Sequence, residues 1–233
     1  QMSGGRLCIN LIAGISDDDT RADGIMDSKK VRYEKMDEEV EIMKKLWAAS
    51  GSIDHQGKHY TVSQAIEPKP LQQPFPPFFL GGGSDYALEI SAKHSTVHLF
   101  WGDKPEVIKT KIEDIRKRAA RYERRDDIQF GMRLQIICRD TEEEAWNEAY
   151  RLIEGSTKFN LANNRLGANA VEGIRKTSEA NRRVWDLLEE SGQEMKIHPH
   201  LWTGISTVRA GAGIAVVGSP KQVANTLDEF VDA

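Results

Sequence analysis

Phe78–Lys93 reads FFLGGGSDYALEISAK: a short apolar run, three glycines, a serine, then apolar residues at helical spacing. An apolar run closed by glycines reads as a buried strand, and serine is a residue type that caps helices. The segment therefore predicts strand, tight turn, helix. The same order recurs on both sides. Leu7–Gly14 (LCINLIAG) has the composition of a fully buried strand, and Val31, Met36, Val40, Met43, Leu46 and Trp47 predict a helix over about Lys30–Ala49. Thr96–Tyr122 repeats the order, with Pro105 acceptable in a first helical turn. Ile128–Gly155 repeats it again, with Thr141 and Glu144 at capping-box spacing. Four such units imply an α/β fold with a parallel sheet and right-handed crossovers, either doubly wound or part of an eight-stranded barrel.

The connecting segments are less regular. SDDDTRADG, Ser16 to Gly24, reads as a loop with its Asp17–Asp19 run solvated. Ser52–Val62 predicts a β excursion turning at Gln56-Gly57, and Glu67–Pro77 an extended, proline-rich connector. Residues 156–200 are polar, with a helical pattern near Asn181–Glu190 and no convincing strand, which suits a mobile insertion or a solvated helical excursion. His200–Gly218 is glycine-rich and apolar, and Ser219-Pro220 opens a capped helix. The chain enters at Gln1 in mid-pattern and stops in an uncapped helical one. We expect a partial α/β domain over residues 1–233 of a larger protein, unable to turn over by itself.

Composition narrows the class. Apolar residues at 39% and charged residues at 29% describe an ordinary globular chain. A net charge of -4 with interspersed signs gives no electrostatic case for nucleic acid or an anionic membrane. No run reaches the ~20 apolar residues of a membrane span. Cys8 and Cys138 both lie in apolar strand-like runs. A disulfide stays open, but two buried thiols in a reducing cytoplasm are the expectation.

Few residues have the pattern of a chemical site. In FLGGGSD the glycines let backbone approach a ligand, and Ser84 with the first-turn amides offers an anion site at the positive end of a helix dipole. A tight turn with no ligand fits the same letters. Arg133 lies inside the apolar GMRLQIIC, on the strand face shared with Gln135, and Arg209 lies among small residues in VRAGAG. The two arginines suit an anion-binding pair, although Arg133 could instead meet an acid in the core. Trp101 ends a strand at LFWGD, where ligand-facing side chains of parallel α/β folds belong, or it packs in the core. His55, His59, His198 and His200 lack the spacing of a zinc set, so no metal site is expected.

With these residues in view, the chain resembles the bacterial-luciferase-like flavin monooxygenases, and within them the two-component alkanesulfonate monooxygenases. The likeness runs through SGGR, NL–G (Asn10, Leu11, Gly14), RYE (Arg32 to Glu34), KPLQQPFPPFFLGGGSD, WGDKPE, KIEDIRKRAA, FGMRL, HLW and VRAGAGIAVVG. The resemblance implies a (β/α)8 barrel binding reduced FMN (FMNH2), with this chain covering about strands 4 to 7 and helix 8. It implies Asn10 beside the flavin, and Tyr33 and Ser84 on its phosphate, with Gly82 and Gly83 in the same turn. It places Trp101 in the active site and assigns Arg133 and Arg209 to the sulfonate and the oxygen-activated flavin. The implied partners are an organosulfonate, O2 and an NAD(P)H-dependent FMN reductase, in a cytoplasmic homo-oligomer. Gln135 departs from the family, which carries histidine there; Gln cannot exchange a proton near neutral pH. That departure leaves open a sulfone or other organosulfur substrate, or a flavin-binding homologue without turnover.

Overall fold

The computed structural model describes residues 2–14, 17–163, 179–208 and 213–232. The chain divides into two compact units, Gln1–Leu99 with Ile115–Gly131, and Phe100–Asp114 with Met132–Ala233. The elements begin with β1 (Ile9–Leu11), α1 (Asp17–Ala22), α2 (Lys29–Ala48), β2 (Ile53–Gln56), β3 (Thr61–Ala65), β4 (Phe78–Gly81) and α3 (Asp85–His94). Next come β5 (Val97–Trp101), α4 (Pro105–Ala120), β6 (Gln129–Arg133), β7 (Gln135–Cys138) and α5 (Glu142–Asn163). The chain closes with α6 (Glu179–Glu190), β8 (Lys196–His198), β9 (Leu201–Trp202), β10 (Ala215–Gly218) and α7 (Pro220–Val231).

The first unit is built on a sheet of order β1-β4-β5-β6. β1 and β4 pair in parallel with Asn10 opposite Phe79 and Leu11 opposite Leu80, and β4 and β5 also run parallel. Side chains alternate across a strand. Leu11, Phe78 and Leu80 are buried on one face, packed in one core with Met36 and Val40 of α2 and Ala87 and Ile90 of α3. Helix α2 starts where Ser28 Oγ accepts from Val31 N at 3.4 Å. The β2–β3 hairpin is tied to α2 by Glu38, whose carboxylate accepts from the His59 and Tyr60 amides at 2.9 and 2.7 Å.

The second unit has a sheet of order β7-β10-β9-β8. β10 runs parallel to β7 and antiparallel to β9, and β8 is antiparallel to β9. Ile137, Ala215 and Val217 bury one face with Ala145 and Ala149 of α5, while Val216 packs with Val223 and Leu227 of α7 on the other. The capping box forms: Thr141 N donates to Glu144 Oε2 at 3.1 Å and Glu144 N to Thr141 Oγ1 at 3.2 Å.

Several expectations are corrected here. The expected parallel pairing is present but is divided between two sheets, because GMRLQIIC breaks at Leu134 and its halves pair in different sheets. A strand does exist at Lys196–His198, and it is antiparallel. Pro199 lacks an amide for a ladder and sits where the chain reverses into β9. Asp17–Ala22 is a helical turn rather than a loop. Cys8 is exposed and Cys138 half-buried, both free, because Cys8 precedes the three-residue β1 instead of lying within a long buried strand. The expected helix near Asn181–Glu190 is α6, whereas residues 164–178 of the predicted insertion lie outside the described residues. Among the described residues, no helix is long and apolar enough to cross a membrane.

Candidate functional site

In the first unit, the turn between β4 and α3 gathers most of the expected cofactor-binding residues. Gly82 has φ +131°, and a Cβ there would lie 3.1 Å from the Ala87 Cβ and 3.9 Å from the Tyr33 hydroxyl. Only glycine gives this turn both its conformation and its closeness to α3. Gly83 is exposed, and Ser84 follows as the N-cap, its Oγ accepting from Ala87 N at 3.4 Å. The first amides of a helix have no intrahelical acceptor and sit at its positive end, so the turn is chemically suited to an anion.

Tyr33 reaches this turn from α2 and hydrogen-bonds the Ser84 side chain. Burial raises its pKa, while the Ser84 bond and the Arg32 charge act in the opposite direction, so the phenol stays protonated at neutral pH. Tyr86 stacks on Tyr33 with centroids 5.9 Å apart. Arg32 is fixed by the Ala13 and Asp27 carbonyls at 2.9 and 2.7 Å. Asp85 places a carboxylate in the first turn, where it pairs with Arg118 at 2.9 Å. Asn10 is exposed on β1, on the sheet face opposite the buried Leu11.

In the second unit, three chain segments meet at Gly102. A Cβ on Gly102 would fall 2.4 Å from Ile214 and 2.7 Å from Leu134, so this loop must lack a side chain to pack as it does. Trp101 precedes Gly102 and is half-buried; Arg133 and Gln135 flank Leu134; Gln135 N donates to Ile214 O at 3.1 Å. Arg133 is exposed at the end of β6, which corrects the expectation of a charge inside a buried strand. Because the strand breaks at Leu134, alternation no longer puts Arg133 and Gln135 on one strand face. Arg209 lies outside the described residues.

Residues absent from the sequence reading also stand out. Asp103 has a fully buried carboxylate, 0% exposed, and Arg183 meets it from α6 through Nε and Nη2 at 2.8 and 2.9 Å. Its place just before α4 in WGDKPE marks a capping acid, but nothing local marks a partner so far along the chain. In the first unit, Asp37, Glu41 and His94 offer atoms within 4.8 Å of one another. Lys93 Nζ already bonds Asp37 at 2.8 Å and Glu41 at 2.6 Å, and Lys44 Nζ lies 3.2 Å from His94 Nδ1, so this cluster carries its own cations.

A family model described as luciferase-like monooxygenase matches residues 1–233. Among solved structures, DmoA from Hyphomicrobium sulfonivorans superposes with a TM-score of 0.73 at 22% identity, covering 100% of this chain and 56% of that one. The long-chain alkane monooxygenase LadA gives 0.68 at 21% identity, with 100% and 56% covered. A riboflavin lyase, RcaE, solved with modified FMN and riboflavin, gives 0.67 at 18% identity, with 100% and 58% covered. The chain thus spans little more than half the length of these structures.

Proposed function

The chain belongs to the luciferase-like monooxygenase family, and from that premise we propose that it is part of an FMNH2-dependent enzyme that uses O2 to cleave the C–S bond of an alkanesulfonate. The products are an aldehyde and sulfite, and the reduced flavin comes from an NAD(P)H-dependent reductase. The chain then represents about strands 4 to 7 and helix 8 of a (β/α)8 barrel. The observation that carries the flavin reading is the Tyr33 hydroxyl brought to the Ser84 N-cap and to Gly82, in a turn whose φ of +131° L side chains rarely adopt.

The residues present fit a flavin phosphate. Ser84 Oγ, the Tyr33 phenol and the first-turn amides of α3 supply donors to a dianion, and Gly82 and Gly83 leave the backbone open to it. Arg118 neutralises Asp85, the one acid in that first turn. Asn10, exposed on β1, faces the flavin ring in this reading. When bound, reduced flavin supplies the electrons that activate O2. Arg133 and Arg209 hold the sulfonate and the negative charge that develops beside it, a role suited to forked guanidinium donors. Trp101 walls the apolar part of the substrate.

The decisive experiment supplies the full-length protein with FMNH2, O2 and a series of alkanesulfonates of increasing chain length, and measures sulfite. Sulfite from at least one substrate is expected; none from any overturns the sulfonate reading. Gln135 favours a second substrate class, a sulfone or related organosulfur compound. Oxygen consumption coupled to a sulfone but to no sulfonate selects it.

A further inference from the structure

Gly102 and Asp103 form the loop that follows Trp101, the last residue of β5, and this loop is held from two sides. On one side Gly102 packs against Leu134 and Ile214 too tightly to admit a Cβ. On the other, the Asp103 carboxylate is withdrawn from water entirely. It accepts from Arg183 Nε and Nη2, from Lys111 Nζ at 2.9 Å, and from the Lys104 amide at 2.9 Å. Arg183 Nη1 continues to Glu190 Oε1 at 2.7 Å, and Glu190 Oε2 returns to Lys104 Nζ at 3.3 Å. The chain of bonds closes on itself: Asp103, Arg183, Glu190, Lys104 and back to Asp103. A buried carboxylate is costly unless every lone pair is met, and here each oxygen has a cation.

We propose that Asp103 and Arg183 are positioning residues that brace the loop after β5 and so fix the Trp101 side chain at the end of that strand. The inference rests on the reading of Trp101 as a wall of the substrate site. The geometry explains why a fork is used: two parallel N–H donors set both distance and angle, which a single lysine contact cannot. Gly102 packing and the Asp103 fork fix the two backbone positions that follow Trp101.

The test uses the full-length protein with Asp103→Asn, Arg183→Met and Arg183→Lys, each also paired with Trp101→Phe so that subtraction isolates the Trp101 emission. Acrylamide quenching of Trp101 should rise about twofold in Asp103→Asn and Arg183→Met, as the loop opens locally, and less in Arg183→Lys. The fraction of consumed O2 lost as hydrogen peroxide should rise about tenfold or more, as for other misplaced site walls, at unchanged FMN affinity. Folded variants with unchanged Trp101 quenching and only a lowered Tm overturn the brace. If Asp103→Asn does not fold, the Arg183 pair decides. If the parent makes no product from any sulfonate or sulfone, the functional reading fails while the quenching still judges the brace.

Discussion

Gly82 shows how much one residue can be asked to do. Its φ of +131° is a conformation that L side chains rarely adopt, and an added methyl would press on Ala87 at 3.1 Å. Gly82→Ala should therefore cost about 1–3 kcal/mol in a urea unfolding series. It should also weaken FMN binding, read by flavin fluorescence titration, because the turn can no longer approach the phosphate. Tyr33→Phe separates the two effects. It keeps the ring that Tyr86 stacks on and deletes only the hydroxyl that bonds Ser84. Stability should change by no more than about 1 kcal/mol, the net worth of a neutral hydrogen bond. FMN affinity should fall about tenfold, since a bond to a charged phosphate is worth more. Equal affinity in Tyr33→Phe and the parent removes Tyr33 from the phosphate site.

At the scale of elements, α2 and α3 are joined by a polar cluster whose charges oppose one another. His94 is buried with Nε2 against Asp37 Oδ1 and Nδ1 3.2 Å from Lys44 Nζ. Burial lowers its pKa most; the Asp37 bond pulls it up, and the Lys44 charge pushes it down again. Lys44 is itself lowered to about 8, chiefly by burial. A histidine with a depressed folded pKa contributes stability that is present above its unfolded value of 6.5 and is lost as pH falls through the folded one. Removing the neighbouring cation with Lys44→Met should raise the His94 pKa, followed by NMR of its ring protons. No movement would show that Lys44 does not act on His94. No local pattern marks this pair, because it joins two helices through residues fifty positions apart. Local chemistry was legible: Ser84 and the Thr141–Glu144 box act on amides three residues away. The break at Leu134 was not, since GMRLQIIC, with Arg133 and Gln135 two residues apart, reads as one strand and only pairing with distant strands divides it. The fork between Asp103 and Arg183 was hidden for the same reason, while the glycine turn beside Ser84 could be read from its own spacing.

For the whole molecule, the net charge of -4 at pH 7 turns strongly positive as the 36 carboxylates protonate in acid, so general repulsion adds to whatever particular carboxylates lose. Burial alone would raise the pKa of Glu38. The His59 amide, the His55 ring and the Tyr60 amide outweigh it and lower the value from 4.5 to about 2. Asp37 and Asp103 are also held below their ordinary value of 3.8 against burial, by His94 with Lys93 and by Arg183 with Lys111. Glu190 is lowered chiefly by its bond to Arg183. A carboxyl with a depressed folded pKa contributes stability present above its unfolded value and lost as pH falls through the folded one. The urea midpoint should therefore drop slightly below pH 6.5 as His94 protonates, and steeply between pH 4.5 and about 2 as Glu38 and its counterparts do. Two variants resolve the steps. His94→Gln should erase the shallow fall and keep the steep one. Glu38→Gln should be less stable than the parent at pH 7 and converge with it toward pH 2, because the parent has by then lost the same charge. A gap between parent and Glu38→Gln that stays constant across this range would assign the role of Glu38 to its shape in the hairpin contact and not to its charge.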